Sequence, residues 1–211
     1  MPTATISVSG RRYRGLSAEE RRADQRERLV RAAINEFSAR GYHRTSVEDI
    51  VRSAHTSRTA FYLFFDNREA AMYAALQASL RGLLDSVRKD LRNVGSDKSR
   101  LEVGVSAFVG YLVSDPAAAR ILLLEGIGTS PEVNALRARV RCQVATQVCE
   151  IWEDFDSQAA KSPQAAAVAV GVFGLLLESM LHLVESGRLD EAPSHIPALV
   201  TAVERMLSPA D

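Results

Sequence analysis

Side chains that cap helix starts recur at Ser17, Thr45, Ser57 and the pair Asp66-Asn67, and no stretch alternates apolar and polar residues as a strand would. Starts set this close leave room only for short helices and tight turns over residues 17–66. The stretch "SAEERRADQRERLVRAAINEFSARG" pairs Ser17 with Glu20 as a capping box and closes on Gly41, a residue suited to left-handed backbone. Val30, Ala33, Ile34 and Phe37 share one face of its second half, whereas its first half is charged all round. A second box, Thr45 with Glu48, opens a short helix with Val47, Ile50, Val51 and Ala54 on one side. "AHTS" ends that helix, and Ser57 caps a third over 58–65.

Beyond residue 67 the helical patterns lengthen, to about 67–92, 98–113, 116–125, 131–155, 163–186 and 195–207, with a break at Gly95-Ser96-Asp97. Ser130-Pro131 and Ser162-Pro163 each read as a capping residue followed by proline at the first helical position. The expected fold is all-α with about nine helices. A three-helix unit at 17–66 precedes a helical bundle at 67–211, and residues 1–16, with Arg11, Arg12 and Arg14, form a flexible basic arm.

Phe61, Tyr62, Phe64 and Phe65 crowd together in a chain with only seven Phe, five Tyr and one Trp. At about 100° per residue, Phe61, Phe64 and Phe65 share one side of the third helix, and Arg58, Thr59, Tyr62 and Leu63 the other. The aromatic side can be fixed against Phe37, Val47, Ile50 and Val51, which so short a helix requires because its own hydrogen bonds cannot hold it. The other side stays free. A capped helix, a short turn and an anchored second helix with a polar tip make a helix-turn-helix, whose second helix enters the major groove of DNA.

The zero net charge hides two unlike parts. Residues 1–65 carry twelve Arg and no Lys against seven acidic residues, and the remainder carries fourteen basic against nineteen acidic. An all-Arg basic region suits phosphate, which the planar guanidinium grips with two prongs. No enzyme motif is complete: "GVSAF" lacks part of a nucleophile elbow, "EGIGTSP" part of a dinucleotide fingerprint, and "SVRK" its partner motifs. No metal-ligand spacing occurs, so neither catalysis, cofactor nor metal is expected. The most apolar segment, "AAAVAVGVFGLLLESMLHLVE", is interrupted by Glu178 and His182, and no signal-peptide core is present, so no membrane partner and a cytoplasmic location are expected. Cys142 and Cys149 lie seven apart on one helix face, too far for a disulfide, and read as buried thiols.

The stretch "RLVRAAINEFSARGYHRTSVEDIVRSAHTSRTAFYLFFDNREA", residues 28–70, resembles the DNA-binding domain of the TetR family of bacterial transcription regulators. The resemblance implies that Thr45 or Ser46 holds a phosphate at the start of the second helix, that Arg58 and Thr59 behind the Ser57 cap meet base edges, and that Tyr62 and Arg68 contact the DNA backbone. Arg44 and Arg52 are further phosphate candidates, and Leu63 can meet a thymine methyl. The chain departs from the family pattern at His55, where glycine is usual, and at Thr59 and Leu63.

The resemblance also implies a homodimer on an inverted-repeat operator in double-stranded DNA. Its interface is expected on the last two long helices, where Gly171 and Gly174 allow close approach and Leu177, Leu181 and Val184 supply area; the same residues also suit a single-chain core. A hydrophobic or amphipathic effector is expected in the bundle. Phe108, Tyr111, Leu122, Trp152, Phe155 and Met180 are candidate lining and Glu125, Glu178 and His182 candidate polar anchors, though each also suits ordinary core or surface. Relief of repression by a ligand is the expected output. Activation, sequence-independent DNA binding and a protein-interaction role are the alternatives.

Overall fold

Local capping sets most of the helix starts. The Ser17 hydroxyl accepts from the Glu20 N–H and the Glu20 carboxylate accepts from the Ser17 N–H, so α1 (Ala18–Arg40) begins at its capping box; it ends on Gly41 at φ 83°. Next come α2 (Val47–Ser53), α3 (Arg58–Tyr62) and α4 (Arg68–Arg92), the last capped by Asn67. Then follow α5 (Arg100–Ser114), α6 (Pro116–Arg120), which continues as a π-helical turn at Ile121–Glu125, and α7 (Pro131–Trp152). A short α8 (Ser157–Ala160), α9 (Ala165–Glu185), a 3-10 turn at Leu189–Glu191 and α10 (Ala192–Leu207) complete the order. The computed structural model describes residues 17–94, 99–125, 130–153 and 156–208. The arm at 1–16, the Gly95-Ser96-Asp97 break and Phe155 lie outside them.

Four sequence expectations change. The start of α2 is capped by Ser46 with Asp49, one residue later than the expected Thr45–Glu48 box, because Thr45 is buried and its hydroxyl donates to the Glu36 and Gly41 carbonyls. α3 stops at Tyr62, three residues early, and the Phe64 and Phe65 N–H groups both turn back to the Phe61 carbonyl. The segment 116–125 is α-helical only to Arg120 before its turns widen. Ser162-Pro163 opens no helix: Asp156 caps the unexpected α8, and α9 starts only at Ala165.

One apolar core runs through the chain. α1 packs along α4, and Phe37, Ile50 and Phe61 continue through Met72 and Leu76 to Phe108, Leu112 and Met180. α9 is long and apolar enough to cross a membrane by length and composition. Its Phe173, Met180 and Leu183 are nevertheless buried, with α7 and α10 packed against it, and its outer side carries Glu178, His182 and Glu185. Cys142 is exposed and Cys149 half-buried, which corrects the expectation of two buried thiols. Burial, followed by the nearby Glu153 and Glu150, pushes the Cys149 thiol above its ordinary range, opposite to what a reactive thiolate requires.

Candidate nucleic-acid interface and effector cavity

The five residues of α3 cannot form a stable helix alone. Phe61 is fully buried and Phe65 nearly so, with ring centroids 5.4 Å apart, and burial of this kind is worth about 1.5–3 kcal/mol per side chain. Phe64 is half-buried beneath the Arg22 guanidinium, and Arg26 lies over Phe65, so the charged first half of α1 covers the aromatic anchor. On the opposite side Arg58 and Thr59 are exposed, Tyr62 is 48% exposed and Leu63 64%. Among the described residues Arg58 has no ion-pair partner.

The polar residues sort into a frame and a free surface. Ser57 caps α3 by accepting from the Ala60 N–H, and Gln25 donates to the Thr56 hydroxyl, fixing the turn to α1. His55 holds the left-handed turn position at φ 51°, which costs on the order of 1 kcal/mol relative to glycine. Arg40 bridges Glu36 and Asp49, each at 3.1 Å. Arg52 is exposed beside Asp49 at 3.6 Å, and Arg44 is exposed with its Nε on the Arg40 carbonyl. Asp49 is held below the usual carboxylate range, first by the Ser46 hydroxyl, then by the Ser46 N–H, with Arg40 and Arg52 adding to it.

Two of the phosphate candidates make contacts within the protein. The Thr45 hydroxyl is buried, which leaves Ser46 as the exposed one of the pair. Arg68 lies 4.4 Å over the Tyr42 ring and donates to the Thr45 and His43 carbonyls, so it clamps the start of α2 to α4. Sequence reasoning missed Tyr42 and Arg40 as parts of this frame; the "GY" after α1 was the available signal.

A polar latch ties the N-terminal helices to the bundle. Arg31 pairs with Asp115 at 2.8 Å, Arg120 donates to the Ser38 carbonyl at 2.8 Å, and the Glu125 carboxylate accepts from the Tyr42 N–H at 2.9 Å. Glu125 therefore sits at the joint between α1 and the π turn and lines neither apolar cavity.

Among the described residues, two small apolar cavities lie side by side in the bundle. One, of about 70 Å³, lies among α4, α5, α7, α9 and α10 and is lined by residues such as Leu84, Leu101, Gly104, Val148, Ile151 and Leu176. The other, of about 50 Å³, includes Leu80, Leu112, Leu122, Val140 and Leu177. Leu83, Phe108 and Phe173 border both and form the wall between them. Of the candidate lining residues, Phe108 and Leu122 face these apolar cavities, and Tyr111 borders an open polar groove outside them. Tyr111 donates its hydroxyl to the Ser79 carbonyl, and burial, with a smaller contribution from Asp115, pushes it up to about 12. Trp152 is buried, with its indole N–H on the Leu207 carbonyl, and Met180 is core. Glu178 and His182 are exposed on the outer side of α9, away from both cavities.

That outer side also exposes Gly171 and Gly174, flanked by the exposed Val170 and by Met206 of α10, whose Cε would lie 3.2 Å from a Cβ on Gly171. Leu181 is half-buried there. Leu177 lines the second cavity and Val184 is buried within the chain, so Val184 does not supply interface area.

Comparison with known proteins places this arrangement. Residues 29–75 match the family described as bacterial regulatory proteins, tetR family. The HTH-type transcriptional activator FasR of Mycolicibacterium smegmatis is 27% identical over 182 residues, covering 85% of this chain and 81% of that protein. The fatty acid degradation regulator FadR of Bacillus halodurans shares the fold with a TM-score of 0.75 at 17% identity, over 88% of this chain and 100% of that one. FadR of Bacillus subtilis, solved in complex with stearoyl-CoA, gives a TM-score of 0.71 at 18% identity, over 83% and 98%.

Proposed function

Because the chain is a transcriptional regulator of the tetR family and not an enzyme, we propose that it binds an inverted-repeat operator in double-stranded DNA as a homodimer, and that a hydrophobic or amphipathic small molecule in its helical body sets that affinity. The observation carrying this reading is the exposed row Arg58, Thr59, Tyr62 and Leu63 on a helix whose other side is buried. Arg58 can pair doubly with guanine, Thr59 and Leu63 can meet a thymine methyl, and Tyr62 with Ser46, Arg44 and Arg52 can reach phosphates. Residues 17–66 are then the reading head and 67–211 the effector and dimerisation part, in a cytoplasmic protein. A single recognition helix offers too few base contacts for useful specificity, which is the physical case for a dimer. The exposed Gly171, Gly174, Val170 and Met206 are its supporting surface.

Apolar cavities support a largely apolar effector, as does the stearoyl-CoA in the Bacillus subtilis FadR structure. Both cavities are smaller than the roughly 300 Å³ at which ligand pockets begin, so a ligand must displace the Phe108–Phe173 wall. A ligand favouring a form with misplaced recognition helices weakens DNA binding by the same coupling free energy. α4 and the Glu125 latch are the two routes from that wall to the head.

The test is selection of bound duplexes from random DNA by the full chain, beside an Arg58→Ala, Tyr62→Phe double variant at one salt concentration. An inverted repeat recovered only by the natural protein supports the reading; equal, motif-free binding by both overturns it. A promoter reporter carrying the recovered site, with and without stearoyl-CoA, then reads the sign. Repression is the expected output, and activation is the second reading because FasR is an activator.

A further inference from the structure

Arg137 does not fit an ordinary core or an ordinary surface. Its guanidinium is partly buried against the second cavity, beside Leu80, Leu112, Phe108 and Leu177, and one of its five N–H groups donates to the Leu122 carbonyl at 2.8 Å. Among the described residues no carboxylate pairs with it. The charged residue nearest in effect is another cation, Arg141, one turn along α7, which lines the same cavity and is exposed where that cavity meets solvent. Burial lowers the Arg137 pKa, and the positive charge of Arg141 lowers it further; no acidic group offsets either. A guanidinium drawn out of water normally gains a carboxylate in exchange, since one neutral carbonyl does not restore what hydration gave. Here one carbonyl takes one donor, and the remaining guanidinium nitrogens stay accessible at the edge of an apolar space.

We propose that Arg137, with Arg141 at the mouth, binds the anionic head group of a single-chain aliphatic carboxylate or phosphate whose tail enters the cavity and passes the Phe108–Phe173 wall. The inference rests on reading the bundle as the effector site and names the ligand class that site takes. Bidentate pairing fits both head groups, because each presents two oxygens at the spacing of the guanidinium fork. The apolar lining fits the tail and gives nothing to a second polar group. The Leu122 carbonyl, in the π turn, competes with the ligand for the same guanidinium.

The test is calorimetric titration of the full chain with dodecanoate, dodecyl phosphate and 1-dodecanol, each below its aggregation limit, repeated with Arg137→Met. In the natural protein at least one anion binds about 10- to 100-fold more tightly than 1-dodecanol, the range of a charge-assisted hydrogen bond. The tighter anion identifies the head group. Arg137→Met abolishes that difference while 1-dodecanol binding stays within about twofold, which also shows that the variant is folded. Equal binding of charged and neutral chains, or a preference that survives Arg137→Met, overturns this inference and leaves the effector site standing. Binding of none of the three overturns both.

Discussion

Phenylalanine does opposite work at the two ends of this molecule. In the N-terminal unit Phe37 and Phe61 are fully buried and line neither apolar cavity, while Phe65, nearly as buried, has one edge on an open surface groove. In the body Phe108 and Phe173 are nearly as buried but stand between two voids. A ring surrounded on all sides cannot move without breaking contacts, whereas a ring beside a void can swing into it. The N-terminal unit holds the side of α3 that carries Arg58 and Tyr62 still, and under the proposed function the bundle yields to a ligand.

Stability should separate the two regions most. Phe61→Ala is expected to cost about 3–5 kcal/mol, and Phe108→Ala at least about 1 kcal/mol less because the wall already lacks neighbours on two sides. Equal losses in urea unfolding would remove the distinction. Next in size, Arg58→Ala should lower operator affinity by about 1–3 kcal/mol in anisotropy titrations while leaving the unfolding midpoint unchanged, since its side chain supports nothing in the fold.

At the joint, Glu125→Ala removes the acceptor of the Tyr42 N–H and should cost about 1–2 kcal/mol, with Tyr42 amide exchange accelerated before that of the α4 core. Filling the void works the other way. A Cβ on Gly104 would lie 3.5 Å from Ile151 and 3.9 Å from Leu91, ordinary contact, so Gly104→Ala should raise stability by about 0.5–1 kcal/mol and weaken apolar ligand binding.

The smallest effect belongs to Asp49. Its carboxyl is held low chiefly by the Ser46 hydroxyl, so the ionised form is favoured in the folded state. Its contribution is present above the ordinary carboxylate range and fades as pH falls through about 4 and below. Asp49→Asn should flatten that part of the acid unfolding curve, and an unchanged curve would show the cap contributes nothing.

Local forces account for the features already readable in the residue order. The caps at Ser17, Ser57, Ser130 and the Asp66-Asn67 pair act within three residues of themselves, and the two faces of α3 follow from helical spacing, so these were legible before any packing was known. The tertiary structure decided which of two adjacent hydroxyls caps α2, because burial of Thr45 against α1 gave that role to Ser46. It also gave Arg68 a clamping role at the start of α2, set Glu125 against Tyr42 across 83 residues, and brought Arg137 to an apolar cavity with no carboxylate partner among the described residues. Those outcomes depend on how distant helices meet, and no short-range pattern carries that information.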